Sequence, residues 1–386
     1  MFASLDLDGS FLSEEHRMLR GQIGKFVQQE VLPHVDEWEA AGTLPREIYE
    51  KLGAVGFLGI SYPPEYGGSG MGTLAALVMS EECVRSGYVG FAANFMTHSE
   101  MAALHLVRAG TPEQKAKYLP DIIAGRKICA LGVTEPRGGS DLVRMATNAR
   151  RDGNEWVLNG QKLYITNANI ADLFFVVART DPAAKGGKGF TLFLLERGME
   201  GLSNGQRTNK IGQHCSDNGE LVFDELRIPP SNIIGEEGLG FYTMMQGIEH
   251  ERIVIVAQAV AAAQLALELT LDWVKLRKAY GGVIWDLQAV RHEIARLATE
   301  LAAAKTWLYH CAALADQGGD TKLSCAMLKA HIPELAERIL YKCVQFHGAM
   351  GYMEDTPVQR ISRDIRVFPL AGGGTEVMLD EVAKRL

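Results

Sequence analysis

The sequence predicts an α+β protein: a helical N-terminal domain over residues 1–119, a central and mainly antiparallel β domain over 120–238, and a C-terminal helical bundle over 239–386. Three observations carry that reading. Helix-forming stretches occupy residues 10 to about 118 and again about 240 to 384. Between them lie short runs of β-branched and aromatic residues separated by Gly, Asn and Asp. No helical segment falls between those runs, so the strands lack crossovers and pair mainly antiparallel.

Each element has its own signal. Ser13 reads as an N-cap, with Glu14 and Glu15 in the first turn where carboxylates suit the helix dipole. Thr111-Pro112-Glu113-Gln114 puts Pro at the first helical position and a Gln where it closes a capping box. Pro63 to Gly72 is a Pro/Gly loop that interrupts the helices. The strand candidates are Trp156-Val157-Leu158, Lys162-Leu163-Tyr164-Ile165, Leu173-Phe174-Phe175-Val176-Val177 and Phe190-Thr191-Leu192-Phe193-Leu194. Asp152-Gly153-Asn154 and Asn159-Gly160 read as hairpin punctuation between strands. In the last domain, long Ala/Leu/Val helical segments run from Phe241 to Leu276 and from Leu287 to Ala315.

Composition narrows the function. The chain has 386 residues, 47% apolar and 22% charged, enough for a large buried core in a soluble protein. Its net charge of −8 supplies no basic stripe for a phosphate backbone, so nucleic acid is not an expected partner, although a phosphorylated small ligand is permitted. Cys83, Cys129, Cys215, Cys311, Cys325 and Cys343 are scattered with no C-x-x-C pair, which argues against a zinc site or disulfide framework and fits a reducing compartment. Asp6, Asp8, Glu14 and Glu15 are unlike a secretory or mitochondrial leader, so a cytoplasmic location is expected. Ile253 to Leu271 is Ala-rich and broken by Gln258, Gln264 and Glu268; it reads as a core helix and not a membrane span.

The chemistry-bearing motif is Val133-Thr134-Glu135-Pro136-Arg137-Gly138-Gly139-Ser140-Asp141, followed by Leu163-Tyr164-Ile165-Thr166-Asn167. A turn with Pro, two Gly and short polar side chains presents backbone N–H groups outward, as a polar cofactor requires. Together the two segments resemble the flavin-contacting stretches of the acyl-CoA dehydrogenase family. Pro64-Glu65-Tyr66-Gly67-Gly68, Gly110-Thr111-Pro112-Glu113-Gln114-Lys115 before Tyr118-Leu119-Pro120, Arg277-Lys278-Ala279-Tyr280-Gly281, Gln345-Phe346-His347-Gly348 and Arg363-Asp364 fall in that family's order and spacing. The resemblance covers nearly the whole chain and agrees with the α–β–α order read above.

The resemblance implies FAD between the β domain and the C-terminal helices. It places Leu131, Val133, Thr134 and Ser140 on the first turn and Tyr164, Ile165 and Thr166 on the strand beside the flavin. It also implies that Arg277, Tyr280 and Gln288 reach the cofactor of a neighbouring subunit, with Gln345, Gly348, Ala349 and Thr375 as further contacts. An Arg suits the pyrophosphate because its planar fork donates two bonds at once. The implied assembly is a homotetramer, a dimer of dimers. Ala349 and Gly374 depart from the family's usual residues at their positions.

The reaction that the resemblance implies removes a proton from the carbon next to a thioester carbonyl while hydride leaves the next carbon, so a carboxylate must reach the α-carbon. The family position that often carries this base falls on Gly372, within Ala371-Gly372-Gly373-Gly374-Thr375-Glu376. A second branch, including isovaleryl-CoA and citronellyl-CoA dehydrogenases, carries the base on a C-terminal-domain helix, and Glu251 matches that position. Ile248, Val254 and Ile255 flank it at helical spacing, so the carboxylate is expected in an apolar stripe that raises its pKa. Glu249 and Arg252 share a face and match positions that contact the acyl-CoA; a salt bridge between them is the competing account. Ser140, Gly372 and Gly373 complete the implied substrate contacts, with the Gly372 N–H helping to polarise the thioester.

The glycines at 372–374 open volume in this reading, and the expected substrate is a 3-methyl-branched acyl-CoA. An electron-transfer flavoprotein is the implied partner. Three alternatives stay open: an enoyl-CoA reductase, an acyl-CoA oxidase, and a non-catalytic acyl-CoA-binding relative.

Overall fold

A computed structural model describes residues 9–386; Asp6 and Asp8, invoked above, lie outside the described residues. The N-terminal part runs through helices α1 (Glu14–Phe26), α2 (Val35–Ala41), α3 (Arg46–Ala54), α4 (Gly72–Val84), α5 (Val89–Met96), α6 (Leu104–Ala109) and α7 (Pro112–Ile123). Both predicted caps form. Ser13 accepts from the His16 N–H, and Thr111 and Gln114 cap each other's backbone reciprocally. The segment from Pro63 to Gly72 is a loop containing one short helical turn, with Gly72 already the first residue of α4.

The β domain comprises β1 (Cys129–Gly132), β2 (Asn148–Asp152), β3 (Glu155–Thr166), β4 (Leu173–Arg179), β5 (Phe190–Glu196), β6 (Leu202–Arg207), β7 (Asn218–Ile228) and β8 (Ile233–Ile234). The strands form one sheet in the order β6-β7-β3-β2-β4-β5-β8, with β1 beside β4. Pairing is antiparallel except at β1·β4 and β2·β4. The hairpin at Gly153-Asn154 forms between β2 and β3. Asn159-Gly160, expected as a second hairpin, is instead a bulge inside β3, which runs unbroken past it along β7. Gly160 has φ +145°, and a Cβ there would stand 2.7 Å from Thr147 Cα, so only glycine lets β3 pass this close.

Helices α8 (Gly240–Met245), α9 (Ile248–Leu276), α10 (Gln288–Asp316), α11 (Lys322–His347), α12 (Pro357–Asp364) and α13 (Thr375–Ala383) complete the chain, with a small hairpin of β9 (Lys278–Ala279) and β10 (Gly282–Val283) after α9. The predicted Phe241–Leu276 segment is thus two helices that break at Gln246-Gly247. The most apolar window of this pair is 78% buried by the rest of the chain, chiefly α4, α10 and α11, as befits a core helix.

Strand β4 is covered on both sides, and alternation sorts its residues. Phe174 and Val176 join the main core shared with α5 and α9, whereas Phe175 and Val177 join a second core with Leu104, Leu119 and Ile122 of α6 and α7. That second core fixes α6 against the sheet. Between α5 and α6, Thr97–Ala102 is a π-helical turn contacting both β1 and α9, and it ties the strand carrying Leu131 to the helix carrying Glu251.

Candidate functional site

The turn at 133–141 is held from beneath and left open above. Glu135 is buried, accepts from the Ala146 and Thr147 N–H groups at 2.5 and 3.1 Å, and pairs with Lys162 Nζ at 2.7 Å. Lys162 is fully buried at an inward position of β3 and also donates to the Val133 carbonyl at 3.1 Å. Burial lowers its pKa to about 8. Burial pushes the Glu135 carboxyl up, but Lys162 and the amides more than offset this and hold it below the usual range. The Leu163 N–H donates to the Thr134 carbonyl at 2.8 Å, which locks the turn to β3.

Above this anchor, Leu131, Val133 and Thr134 are half-buried, and Ser140 is exposed. Tyr164 stands 64% exposed at φ +58°, Ile165 is buried and Thr166 half-buried. Thr375, the first residue of α13, is buried with its hydroxyl unpartnered. An open turn, a strand whose aromatic faces outward and an orphaned hydroxyl at a helix N-terminus fit a polar, planar dinucleotide such as FAD.

A second group of predicted contacts lies on the surface. Arg277, Tyr280, Gln288, Gln345, Gly348 and Ala349 are all exposed. Tyr280 and Gly281 turn the β9–β10 hairpin with φ of +52° and +83°. This is the doubly left-handed geometry of a type I′ turn, unusual for a tyrosine. His347 is accounted for within the chain: it stacks on Trp273 at 5.2 Å and its Nδ1 pairs with the Cys343 carbonyl.

Glu251 lies in the first turn of α9, only 6% exposed, and burial raises its pKa to about 8. Its surroundings correct the expectation of a purely apolar stripe. His105 on α6 is completely buried, with Nε2 3.7 Å from Glu251 Oε1, and Arg108 on the same helix is the strongest positive influence on the carboxyl. Arg108 Nη1 occupies the space where a side chain at residue 247 would begin, 1.7 Å from the Cβ position, so the glycine at the α8–α9 break admits the guanidinium. His250 points the other way and is satisfied by Glu100 at 2.8 Å and Thr73 at 3.2 Å.

Gly372 and Gly373 form a cradle beside α9, with φ of +69° and +99°. A Cβ on Gly372 would meet Ile255 Cδ1 at 2.6 Å, and one on Gly373 would meet Met378 Cε at 2.7 Å. The positive φ of both residues favours glycine, and a Cβ on either would have to push the flexible end of Ile255 or Met378 aside, so spare substrate volume does not by itself account for the motif. Two cations hold the cradle's carbonyls. Arg252 Nε donates to Gly372 O at 3.3 Å, and no ion pair with Glu249 forms among the described residues. Lys329, fully buried on α11, donates to Phe368 O at 2.6 Å and Gly373 O at 2.9 Å, its pKa lowered to about 8 by burial and then by Arg252.

The sequence reading missed Lys162, Lys329, His105 and Arg108. A signal existed for one of them: Lys329 ends the apolar run Cys325-Ala326-Met327-Leu328, which announces a buried cation with its bonds satisfied, whereas Lys162, after Gly160-Gln161, carried none. His105 and Arg108 carried no such mark, because their role depends on α6 meeting α9 in space.

Comparison with known proteins agrees with this architecture. Three family profiles match the chain: acyl-CoA dehydrogenase N-terminal domain at residues 13–126, middle domain at 130–226 and C-terminal domain at 238–386. The chain is 38% identical to the mitochondrial long-chain specific acyl-CoA dehydrogenase of Mus musculus, covering 97% of this chain and 87% of that protein. It is 37% identical to mitochondrial isovaleryl-CoA dehydrogenase of Pongo abelii, covering 95% and 87%. It is also 35% identical to a 3-(aryl)acrylate reductase of Clostridium sporogenes, covering 97% and 99%. A solved acyl-CoA dehydrogenase from Geobacillus kaustophilus superposes with a TM-score of 0.93 at 36% identity, covering 97% of this chain and 98% of that one.

Proposed function

Because the chain belongs to the acyl-CoA dehydrogenase family, FAD-dependent oxidoreductases acting on the CH–CH bond of acyl-CoA thioesters, we propose that it converts a 3-methyl-branched acyl-CoA to the 2-enoyl-CoA with Glu251 as the α-proton base. One observation carries the reading: a buried carboxylate at 251 stands one helical turn from Ile255, which touches the Gly372 cradle where the family's other base position holds no acid. The isovaleryl-CoA relative supports a branched substrate.

FAD, when bound, would supply the acceptor for the hydride that leaves the β-carbon. The chain's own residues do the rest. Leu131, Val133, Thr134, Ser140, Tyr164, Ile165, Thr166 and Thr375 hold the flavin from within one chain. Arg277, Tyr280, Gln288, Gln345, Gly348 and Ala349 serve the cofactor of a second copy in a homotetramer, in keeping with their exposure. Ser140, Glu249, Arg252, Gly372 and Gly373 bind the acyl-CoA, and the Gly372 N–H polarises the thioester carbonyl so that the α-proton becomes acidic. Electrons leave to an electron-transfer flavoprotein. Six free, buried cysteines suit the reducing cytoplasm.

A second reading runs the same step backwards, with Glu251 delivering the α-proton to an enoyl-CoA; similarity to the 3-(aryl)acrylate reductase along almost its full length favours it. A panel of straight and 3-methyl-branched acyl-CoAs with an artificial electron acceptor tests the substrate, and anaerobic reduction of the bound flavin by acyl-CoA tests the direction. Faster turnover of branched esters is expected, and preference for straight chains rejects the branch assignment. Glu251→Gln is expected to stay yellow while losing about 10²–10⁴ in rate; normal turnover places the base elsewhere.

A further inference from the structure

Glu251, His105 and Arg108 form a cluster whose parts do not satisfy one another in a single protonation state. Neither ring nitrogen of the fully buried His105 has a hydrogen-bond partner, nor does Glu251 Oε1, although the two groups face each other at 3.7 Å. That separation is too long for a hydrogen bond and short enough to close by a small side-chain rotation. Unpartnered buried polar atoms are rare because each forfeits its hydration, and two of them, His105 Nε2 and Glu251 Oε1, facing each other suit a site that works in more than one state. Arg108 makes no hydrogen bond or ion pair among the described residues, yet it is the largest positive influence on Glu251.

We propose that α6 supplies a two-state partner for the base: Arg108 favours the carboxylate form of Glu251 before proton abstraction, and neutral His105 accepts a hydrogen bond from the carboxylic acid afterwards. The proposal rests on Glu251 being the base. His105 and Arg108 stand three residues apart on α6, hence on one face, and that face meets the first turn of α9. In the step, the α-C–H bond breaks and its electron pair stays on the substrate as hydride leaves the β-carbon for the flavin. The proton forms an O–H bond on Glu251, which points to His105, and no further transfer takes place. His105 suits the acceptor role because burial and then the Arg108 charge hold its pKa down at about 3, leaving a nitrogen lone pair free throughout the working pH range. Both are therefore positioning residues.

The other charges around the cluster do not duplicate this function. Glu249 and Arg252 lie on the base's own helix, and Arg252 is committed to the Gly372 carbonyl. Glu100, from the π-helical turn, and Tyr62 act on Arg108, and Glu100 is already paired with His250. From α11, Cys325 and Lys329 lie against Arg252.

Infrared difference spectra of the FAD-loaded protein across a pH titration read the C=O stretch of protonated Glu251, identified by its loss in Glu251→Gln. Arg108→Met and Arg108→Gln are each expected to move the midpoint up by about one pH unit, and Arg108→Lys to restore most of the difference. His105→Phe is expected to shift the stretch to higher frequency as its acceptor disappears, and His105→Gln to keep it low. A role in packing alone moves neither. An unmoved midpoint in both uncharged Arg108 variants overturns the role of Arg108, and an unshifted stretch in His105→Phe overturns that of His105. Normal turnover by Glu251→Gln refutes the base and this inference with it; an inactive Glu251→Gln with unmoved spectra refutes this inference alone.

Discussion

At the scale of single residues, Glu251 carries a cost of burial that its proposed role as the base would explain. Its folded pKa lies at about 8 against 4.5 for a free carboxyl, with burial the cause. The sign follows from proton linkage: between those values the folded chain holds a proton that the unfolded chain has lost. The stabilisation is full below pH 4.5 and is lost as pH rises through 8. Glu251→Gln, permanently neutral, is therefore expected to melt at a higher temperature than the native chain above pH 8 and to converge with it near pH 4.5, a difference on the order of a few kcal/mol. Scanning calorimetry at both limits measures this; a native chain that melts higher above pH 8 contradicts the burial account. The burial of this residue was legible from Ile248, Val254 and Ile255 at helical spacing. Its partners were not, because His105 and Arg108 are more than 140 residues away in sequence and only tertiary packing brings them near.

At the scale of elements, the same residue types served different ends in places. Asn159-Gly160 reads as a turn, yet β3 bulges there and continues, because β7 offers pairing partners on both sides of the irregularity and a reversal would forfeit them. Turn and bulge both need a residue at positive φ, so local sequence does not separate them. The Gly372-Gly373-Gly374 run reads as spare volume, and the structure adds a second reason for two of its glycines: Gly372 and Gly373 take positive φ in a cradle whose carbonyls are held by Arg252 and Lys329. A consequence is that the base cannot simply be moved back to the loop. In a Glu251→Gly background, Gly372→Glu is expected to leave the enzyme inactive, since its Cβ would stand 2.6 Å from Ile255 Cδ1 on a backbone at φ +69°. Adding Ile255→Ala relieves the contact and leaves only the backbone strain, typically about 1–3 kcal/mol. Partial activity is then expected from the triple variant and none from the double, measured as turnover of the preferred acyl-CoA; activity in the double variant removes the steric argument.

At the scale of the whole molecule, the α–β–α order was legible because helical and strand periodicities occupy separate stretches of chain. The assembly was expected only through resemblance, since no periodicity in the sequence marks a surface for a second copy. One surface feature bears on it. Tyr280 is 93% exposed and sits at φ +52°, so a strained aromatic stands in water beside Leu276, itself 78% exposed. In the proposed tetramer a second subunit covering the hairpin would offset that arrangement by removing apolar surface from water. Asparagine tolerates left-handed backbone, so Tyr280→Asn keeps the β9–β10 turn while deleting the ring. The variant is expected to fold with unchanged helical content but to sediment as a smaller species at micromolar concentration. It is also expected to release its flavin more readily on gel filtration, because a tyrosine that serves a neighbour's cofactor links the two properties. Sedimentation velocity paired with the ratio of flavin to protein absorbance reads both at once. A tetramer that keeps its full flavin after losing this ring would assign the hairpin to free solvent, and the strain at residue 280 would then have no account in assembly.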